Sequence, residues 1–510
     1  MKKLPKPRYA AVRSLFDQQG QVLDSEALVL YFPAPKTVTG EDVLELHIHG
    51  GPAIVKAVLA AIVKCSTTNR VRYAEPGEFT RRAFLNDRMD LTKVEALGDT
   101  LSAVTEEQRR LSVQGTVSGL AARYESWRQS LLAARGELEA LIDFSEDQHF
   151  DESPAELASS VAVQVRALNE LIVYHSSNAV RGELLRNGIT LSLIGAPNVG
   201  KSSLLNQIVG RNAAIVSHEA GTTRDVVEVG IDLGGFFCRL GDTAGLRSST
   251  GKSQHNGTVI GDVEREGMRR ARENAERSDV VILVVGVETG PAEQKPQLSI
   301  DEEVLQTART LLAAGKNLII AVNKLDNLSN QDITRNIITQ VQTLLPQVTP
   351  SRIFCISCKD ATTCLPSSSA SAPADPGNLQ RFAAGLIDVF KDITNPLSPV
   401  HDTSSASMWQ ESLGATERQR VLLDECSFHL GTFLEQVDTA VDRGDGLENS
   451  ADSALEEADF DIVVAAESLR AAADCLAKLT GRGDAGDVEE VLGVVFEKYD
   501  DNNDGSDDEC

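Results

Sequence analysis

The run Gly195-Ala-Pro-Asn-Val-Gly200-Lys201-Ser202 has the spacing G-x-x-x-x-G-K-S. Glycines at its two ends let backbone N–H groups converge on phosphate oxygens. The lysine, Lys201, is placed to reach the outer phosphates of a nucleoside triphosphate. The hydroxyl that follows, Ser202, is a magnesium ligand in such loops. The apolar run Ile189 to Ile194 ahead of the loop reads as a buried strand, and Leu204, Leu205 and Ile208 after it as a helix. Strand, glycine loop and helix together separate a phosphate site from a chance Gly-rich turn, and the helix N-terminus adds a favourable dipole.

Four further stretches give the loop a specific chemistry. Asn323-Lys324-Leu325-Asp326 follows an apolar strand. The Asp326 carboxylate can accept both N–H groups of guanine's N1/N2 edge, and adenine would leave it unpaired, so discrimination is large. Ser357-Cys358-Lys359 is the expected guanine-side loop, with Cys358 where Ala is usual. Asp242-Thr243-Ala244-Gly245 ends a strand. There Asp242 would hold magnesium through water and the Gly245 N–H would touch the γ-phosphate. Gly221-Thr222-Thr223-Arg224-Asp225 lies between the loop and that strand end, where a first switch belongs, with Thr223 as the second magnesium ligand. The expected GTP site therefore takes Asn198, Val199, Gly200, Lys201, Ser202, Ser203, Ser217, Thr222, Thr223, Asp242, Thr243, Ala244, Gly245, Asn323, Lys324, Asp326, Ser357, Cys358 and Lys359. The residue after Gly245 is Leu246, not the glutamine that positions water in Ras-like proteins. The carbonyl oxygen of the Asn198 side chain could instead hold a monovalent cation beside the phosphates, supplying positive charge as an arginine finger does.

The elements that must position these residues alternate strand and helix from 186 to 395. Strands are expected at Ile189–Ile194, Val226–Asp232, Phe236–Gly241, Val280–Val285, Leu318–Asn323 and Arg352–Ser357. This predicts an α/β P-loop domain with mostly parallel strands. Two polar, Ser/Gly/Pro-rich stretches within it, Arg247 to Asp262 and Ala361 to Asn378, read as mobile loops.

Residues 1–85 read as a small α/β unit. Val43 to His49 alternates, with Leu44, Leu46 and Ile48 toward a core and Glu45, His47 and His49 on the polar side. No third ligand accompanies the two histidines, so that side reads as solvated rather than metal-binding. Residues 86–185 and 396–510 carry helical stripes. Val117, Leu120, Tyr124, Trp127, Leu131, Ala134, Leu138 and Leu141 make one; Val421, Leu422, Cys426, Leu430, Phe433 and Val437, and Ile462, Val463, Ala466, Leu469, Ala473 and Leu476, make two more. The expected fold is thus a GTPase domain inserted into an α-helical domain whose second half packs on the first. Pro396 to Glu411 reads as a linker, and Asp500 onward as an acidic solvated tail; an EF-hand loop starting at Asp500 would lack its twelfth ligand.

Composition bounds the rest. The 510-residue chain has a net charge of −26 and 42% hydrophobic residues. That balance argues against coating RNA by charge alone. No apolar run is long enough to span a bilayer. The eight cysteines are scattered and read as free thiols, with Cys355 and Cys358 as packing residues.

The chain resembles the MnmE/TrmE family of tRNA-modifying GTPases, including its mitochondrial counterparts. The resemblance rests on LPKPRYA (Leu4–Ala10), TGEDVLELHIHGG (Thr39–Gly51), PGEFTRRAFLNDRMDL (Pro76–Leu91), GAPNVGKSSLLN (Gly195–Asn206), AAIVSHEAGTTRDV (Ala213–Val226) and DTAGLR (Asp242–Arg247). It implies a folate-binding N-terminal domain that dimerises, potassium-stimulated GTP hydrolysis, and modification of C5 of the tRNA wobble uridine with an FAD-dependent partner. On the family pattern Asn198, Ser217, Glu219 and Thr222 surround the potassium ion, Glu264 orients the attacking water, and Glu45 and Arg88 contact a folate. The chain departs from the pattern ahead of Leu4, where a G-x-G-I-x-R type segment is missing, and at the F-C-I-G-K end, where the motif cysteine falls at Asp500. These departures bear on folate and tRNA chemistry and leave the GTP site untouched. The alternative function is a GTP-switched RNA- or ribosome-assembly protein without a role in RNA chemistry. The expected location is the mitochondrial matrix, with the cytoplasm as the alternative.

Overall fold

A computed structural model of the chain describes residues 4–64, 71–117, 119–144, 154–217, 229–241, 262–288, 297–327, 331–363, 375–398, 406–445 and 461–482. Two compact units divide it. The first comprises Met1–Gly98, Gly115–Val173 and Arg418–Cys510, the second Asp99–Gln114 and Tyr174–Glu417. The sequence places its domain limits instead at 85, 185 and 395.

The second unit is built on a sheet of eight strands: β4 (Ile189–Ile194), β5 (Ala213–Ser217), β6 (Val229–Leu233), β7 (Phe236–Leu240), β8 (Val280–Glu288), β9 (Gln297–Ser299), β10 (Asn317–Asn323) and β11 (Ile353–Cys355). Their order is β11-β10-β8-β4-β7-β6-β5, and β9 pairs with the end of β8. β11, β10, β8, β4 and β7 run parallel, whereas β6, β5 and β9 join antiparallel. β5 and β9 have no expectation in the sequence reading, because each is short and lies at the margin of the sheet.

Parallel strands covered on both faces must be apolar on both sides. β8, VVILVVGVE, is buried along all but its last residue. Alternate side chains then serve two cores. Val280, Ile282 and Val284 join Ile319 and Ala321 beneath the helix Leu379–Thr394. Val281, Leu283 and Val285 join Leu318, Ile320 and Val322 beneath the helices Glu302–Ala313 and Gln331–Leu344. Each fully buried aliphatic side chain contributes about 1.5–3 kcal/mol, so the centre of the sheet is the stiffest backbone from which a loop can leave.

Two segments expected to be loose are partly fixed. The residues expected as a linker include the helix Ala406–Ser412, whose Trp409 is 1% exposed. Asn178 holds both ends of that stretch, donating to Leu397 O (2.9 Å) and to Ser412 Oγ (2.9 Å). Of the Ser/Pro-rich stretch, residues 361–363 finish the helix Cys358–Thr363, and Pro376–Asn378 forms a 3-10 turn. A buried tryptophan and a buried asparagine outweigh what composition suggests for these stretches.

In the first unit β1 (Ala11–Phe16), β2 (Val22–Phe32) and β3 (Val43–His47) form an antiparallel sheet in that order. Its core is small: Leu15, Ala27, Val29 and Val58, flanked by Leu23, Leu46, Ile48 and Ile54. Leu44 is a correction to the alternation. It is 44% exposed, because only Leu46 and Ile48 reach that core. The helices Leu120–Phe144, Pro154–Asn187, Glu417–Asp445 and Ile462–Leu479 supply the other core of this unit. Tyr124, Leu131 and Leu138 meet Val161, Val165 and Ile172, then Leu430 and Phe433, then Leu469 and Leu476. The second helical block does pack on the first. The outer stripe members Val117, Val421 and Val463 are exposed. Among the described residues no helix is long and apolar enough to cross a membrane.

Candidate functional site

The phosphate loop leaves the end of β4 and closes on the helix Lys201–Gln207. Two of its residues hold left-handed backbone, Asn198 (φ 61°) and Gly200 (φ 102°). Asparagine tolerates that region better than most side chains, and glycine pays nothing for it. At Gly200 a Cβ would stand 2.2 Å from Asn323 Nδ2, so the position has no room for any side chain. Val199 between them is buried, while Asn198 is exposed and points no bulk into the core. Lys201 arches back over the loop, its Nζ donating to Gly195 O and Ala196 O, each at 2.8 Å. Burial draws its pKa below the ordinary lysine value. The ammonium is thus held at the mouth of the loop with no carboxylate partner in those bonds, where an anion would restore what desolvation costs. Ser202 and Ser203 follow in the first helical turn, half-buried and exposed.

The other end of the site is tied to the loop by one amide. Asn323, 4% exposed at the end of β10, donates from Nδ2 to Val199 O (2.9 Å) and accepts at Oδ1 from Cys358 N–H (3.2 Å). It joins three loops in a buried place, where losing either bond would leave a polar group unsatisfied. Lys324 takes left-handed backbone (φ 70°), turning the chain so that Asp326 falls in the 3-10 turn Leu325–Asn327. Asp326 is 14% exposed; Ser357 Oγ donates to its Oδ1 (3.4 Å), and Lys359 Nζ lies 3.2 Å from its Oδ2. Ser357 itself is buried, its N–H donating to Gly377 O (3.0 Å) and its Oγ accepting from Asp360 N–H (3.1 Å). Gly377 has φ 80°, and a Cβ there would stand 2.1 Å from Ser357 O. Sequence reading missed Gly377 as a support of the site. Its only signal is a Pro-Gly pair at the edge of a low-complexity stretch.

Cys358 contributes its backbone N–H, so its side chain is free to be a packing group. Burial pushes the Cys358 and Cys355 thiols up to about 11. Both are free thiols.

Other expected residues are placed only in part. Ser217 ends β5 and Glu264 lies in the first turn of the helix Asp262–Arg277. Glu219, Thr222, Thr223, Asp242, Thr243, Ala244, Gly245 and the tail from Asp500 lie outside the described residues.

In the first unit, the two residues expected at folate stand on different supports. Glu45 on β3 pairs with His47 Nε2 (3.2 Å). Arg88 donates from Nε to Thr37 O (3.0 Å). A cavity of about 330 Å³ nearby is lined by Thr39, Leu44, Phe79 and the charged Glu41, Arg72 and Arg82; neither Glu45 nor Arg88 lines it. Glu78 bridges its two arginines, with Arg72 and Arg82 both at 2.6 Å, and the Arg72 bond first of all holds the Glu78 carboxyl down at about 2. His49 meets buried Asp24, its Nδ1 at 2.9 Å from Oδ1 and its backbone N–H donating to Oδ2 at 2.8 Å.

Comparison with known proteins covers nearly the whole chain. Residues 1–88 match the family described as GTP-binding protein TrmE N-terminus, and residues 91–499 that described as MnmE helical domain. The tRNA modification GTPase MnmE of Paramagnetospirillum magneticum is 36% identical over 498 residues, covering 98% of this chain and 91% of that protein. The mitochondrial tRNA modification GTPase mss1 of Schizosaccharomyces pombe is 33% identical, over 97% of this chain and 88% of its own length. The human mitochondrial 5-taurinomethyluridine-tRNA synthase subunit GTPB3 is 40% identical over 327 residues, 64% of this chain and 63% of that one.

Proposed function

The chain belongs to the MnmE (TrmE) family of tRNA modification GTPases, and from that premise we propose how its residues carry the activity. It is the GTP-hydrolysing component of tRNA wobble-uridine modification. The observation that carries the GTPase assignment is the buried Asn323 amide, which joins the phosphate loop at Val199 to the guanine-side loop at Cys358. It sets the spacing between triphosphate and base before either is bound, so little ordering remains to be paid on binding.

The guanine edge takes the place that Ser357 and Lys359 now fill on Asp326, donating its N1 and N2 hydrogens to the carboxylate. Lys201 exchanges the Gly195 and Ala196 carbonyls for β- and γ-phosphate oxygens. Ser202 and Thr223 would hold Mg²⁺, with Asp242 behind a water; the ion neutralises charge on the phosphate oxygens. The donor set fits a hard cation, since each is an oxygen. Asn198, on its left-handed backbone at the loop's exposed rim, would hold K⁺ with Ser217, Glu219 and Thr222. Glu264 would orient the attacking water, a task Leu246 cannot perform.

On the same reading the N-terminal unit takes a folate derivative at Glu45 and Arg88 and pairs with a second copy. The exposed apolar side chains Tyr9, Val12, Leu44 and Phe79 support a protein surface there. An FAD-dependent subunit shares the chemistry on tRNA, and the site of action is the mitochondrial matrix; the eukaryotic relatives named mitochondrial support the organelle.

A strain lacking the wobble modification tests this. The chain should restore the modified uridine, and an Asp326→Asn variant should not at cellular GTP levels. Hydrolysis by the purified chain should fall when K⁺ is replaced by Na⁺. Equal rates in the two salts would remove Asn198 from the mechanism, and failure to restore the uridine with GTP hydrolysis intact would favour the RNA-assembly alternative.

A further inference from the structure

The helical core of the first unit brings together three side chains that GTP chemistry does not use. Glu425 and His429 lie four residues apart on the helix Glu417–Asp445 and so share a face. Cys475 comes from the helix Ile462–Leu479, which shares a core with the first through Cys426, Leu430, Ala472 and Leu476. One ligand atom from each, a carboxylate oxygen, an imidazole nitrogen and the thiol sulfur, lies within 4.8 Å of the other two. Bonds to zinc of about 2.0–2.3 Å place tetrahedral ligands roughly 3.3–3.6 Å apart. Closure of at most roughly 1.2–1.5 Å is therefore needed, which rotation of the exposed Glu425 and half-buried His429 side chains can supply without moving a helix.

We propose that Glu425, His429 and Cys475 form a binding site for one zinc-class transition-metal ion, which clasps the two helices together. The donor set decides the class. Mixed nitrogen, oxygen and sulfur suits Zn²⁺, whereas Mg²⁺ takes oxygen alone, so the ion of the nucleotide site does not compete. Cys475 is 5% exposed and burial holds its thiol up at about 11, which leaves it an inert packing group until a metal displaces the proton to solvent. The neighbouring Cys426 thiol is otherwise engaged, donating to Ala472 O at 3.4 Å. Three protein ligands leave a fourth position to water on the side where Glu425 is exposed. An ion bound only by the folded helices stabilises them by mass action.

The test uses the full chain with Mg²⁺ in excess. Zn²⁺ alone is titrated against a chromophoric chelator, and Co²⁺ is loaded separately as a spectroscopic probe. One zinc per chain is expected, with a cobalt spectrum that shows thiolate-to-metal charge transfer. Cys475→Ser should abolish that band. His429→Ala should weaken zinc binding by more than the 10- to 100-fold typical of losing an outer partner, and Glu425→Gln by about 10-fold or more. Glu425 is exposed, so its variant keeps the fold should the Cys475 variant lose it. Zinc should also raise the thermal midpoint of the native chain and not that of His429→Ala. Undiminished zinc binding in Glu425→Gln and His429→Ala, or a cobalt spectrum without a thiolate band, overturns the proposal and assigns any bound zinc to other cysteines.

Discussion

The nucleotide region and the N-terminal region both gather charged side chains, but they hold them in different ways. In the first, the loop before Lys201 is bonded through Val199 O to the buried Asn323 amide, and the Asp326 carboxylate accepts from the buried Ser357 hydroxyl. In the second, Glu41, Arg72, Glu78 and Arg82 are held mainly by one another, above a core of four buried residues. A buried amide that must keep both bonds enforces one geometry, while exposed ion pairs are worth about 0–1 kcal/mol each and rearrange readily. Among the described residues, the phosphate loop and the guanine-side loop are therefore already tied together. The N-terminal region leaves Leu44 and Phe79 exposed.

The sharpest way to probe the contrast is Lys201→Ala. Hydrolysis should fall by about 10²–10³-fold with the fold intact, since the lysine's partners are only two loop carbonyls. A single-turnover assay reads it, and a small loss would mean that the loop does not depend on this charge. Asp326→Asn comes next. Guanine affinity should drop by about 100-fold and xanthine nucleotides should gain, because two hydrogen bonds to a charged acceptor are lost. Unchanged selectivity would sink the base-reading role.

Asn323→Ala tests whether the buried amide is what sets the frame. It should cost about 1–3 kcal/mol in urea unfolding and raise the KM for GTP, as Val199 O and Cys358 N–H lose their partner. A stable variant with normal KM would show that the strands alone fix the spacing. The smallest effect belongs to the N-terminal sheet. Asp24 has its pKa lowered, chiefly by the His49 backbone N–H and then by that of Glu26. A depressed folded value means its contribution is present above about pH 3.9, the unfolded value, and is lost as pH falls through the lower one. Hydrogen-exchange protection factors along β2, corrected for the intrinsic pH dependence of exchange, should therefore fall on acidification, and Asp24→Asn should flatten that dependence. An unaltered acid profile would count against Asp24 as the anchor of β2 to His49.

Most of the nucleotide site was legible before the structure. Loops that wrap phosphate need glycines and a lysine at consecutive positions, so Gly195 to Ser202 declares itself in eight residues. β4 and β7 were placed within one residue, because β4 is an apolar run and β7 alternates buried with half-buried residues. Less legible were β5 and β9, three to five residues long, and the helix around Trp409, whose residues lie in a stretch of linker-like composition. The alternation at Val43 to His49 was read correctly as a strand, yet periodicity could not tell that the core beside it is too small to take Leu44.

From the sequence alone came the candidate phosphate loop, the carboxylate proposed to read guanine, the insertion of an α/β domain among helices, and the family. All of these depend on residues close together in the chain, where spacing maps directly onto backbone geometry. Only the tertiary structure decided that Asn323 reaches back 124 residues to Val199, that Gly377 supports Ser357, that Asn178 and Trp409 fix a stretch resembling a linker, and that Glu425 and His429 meet Cys475. Those pairings arise from burial and hydrogen-bond satisfaction across space, and no local pattern records which distant partner will complete them.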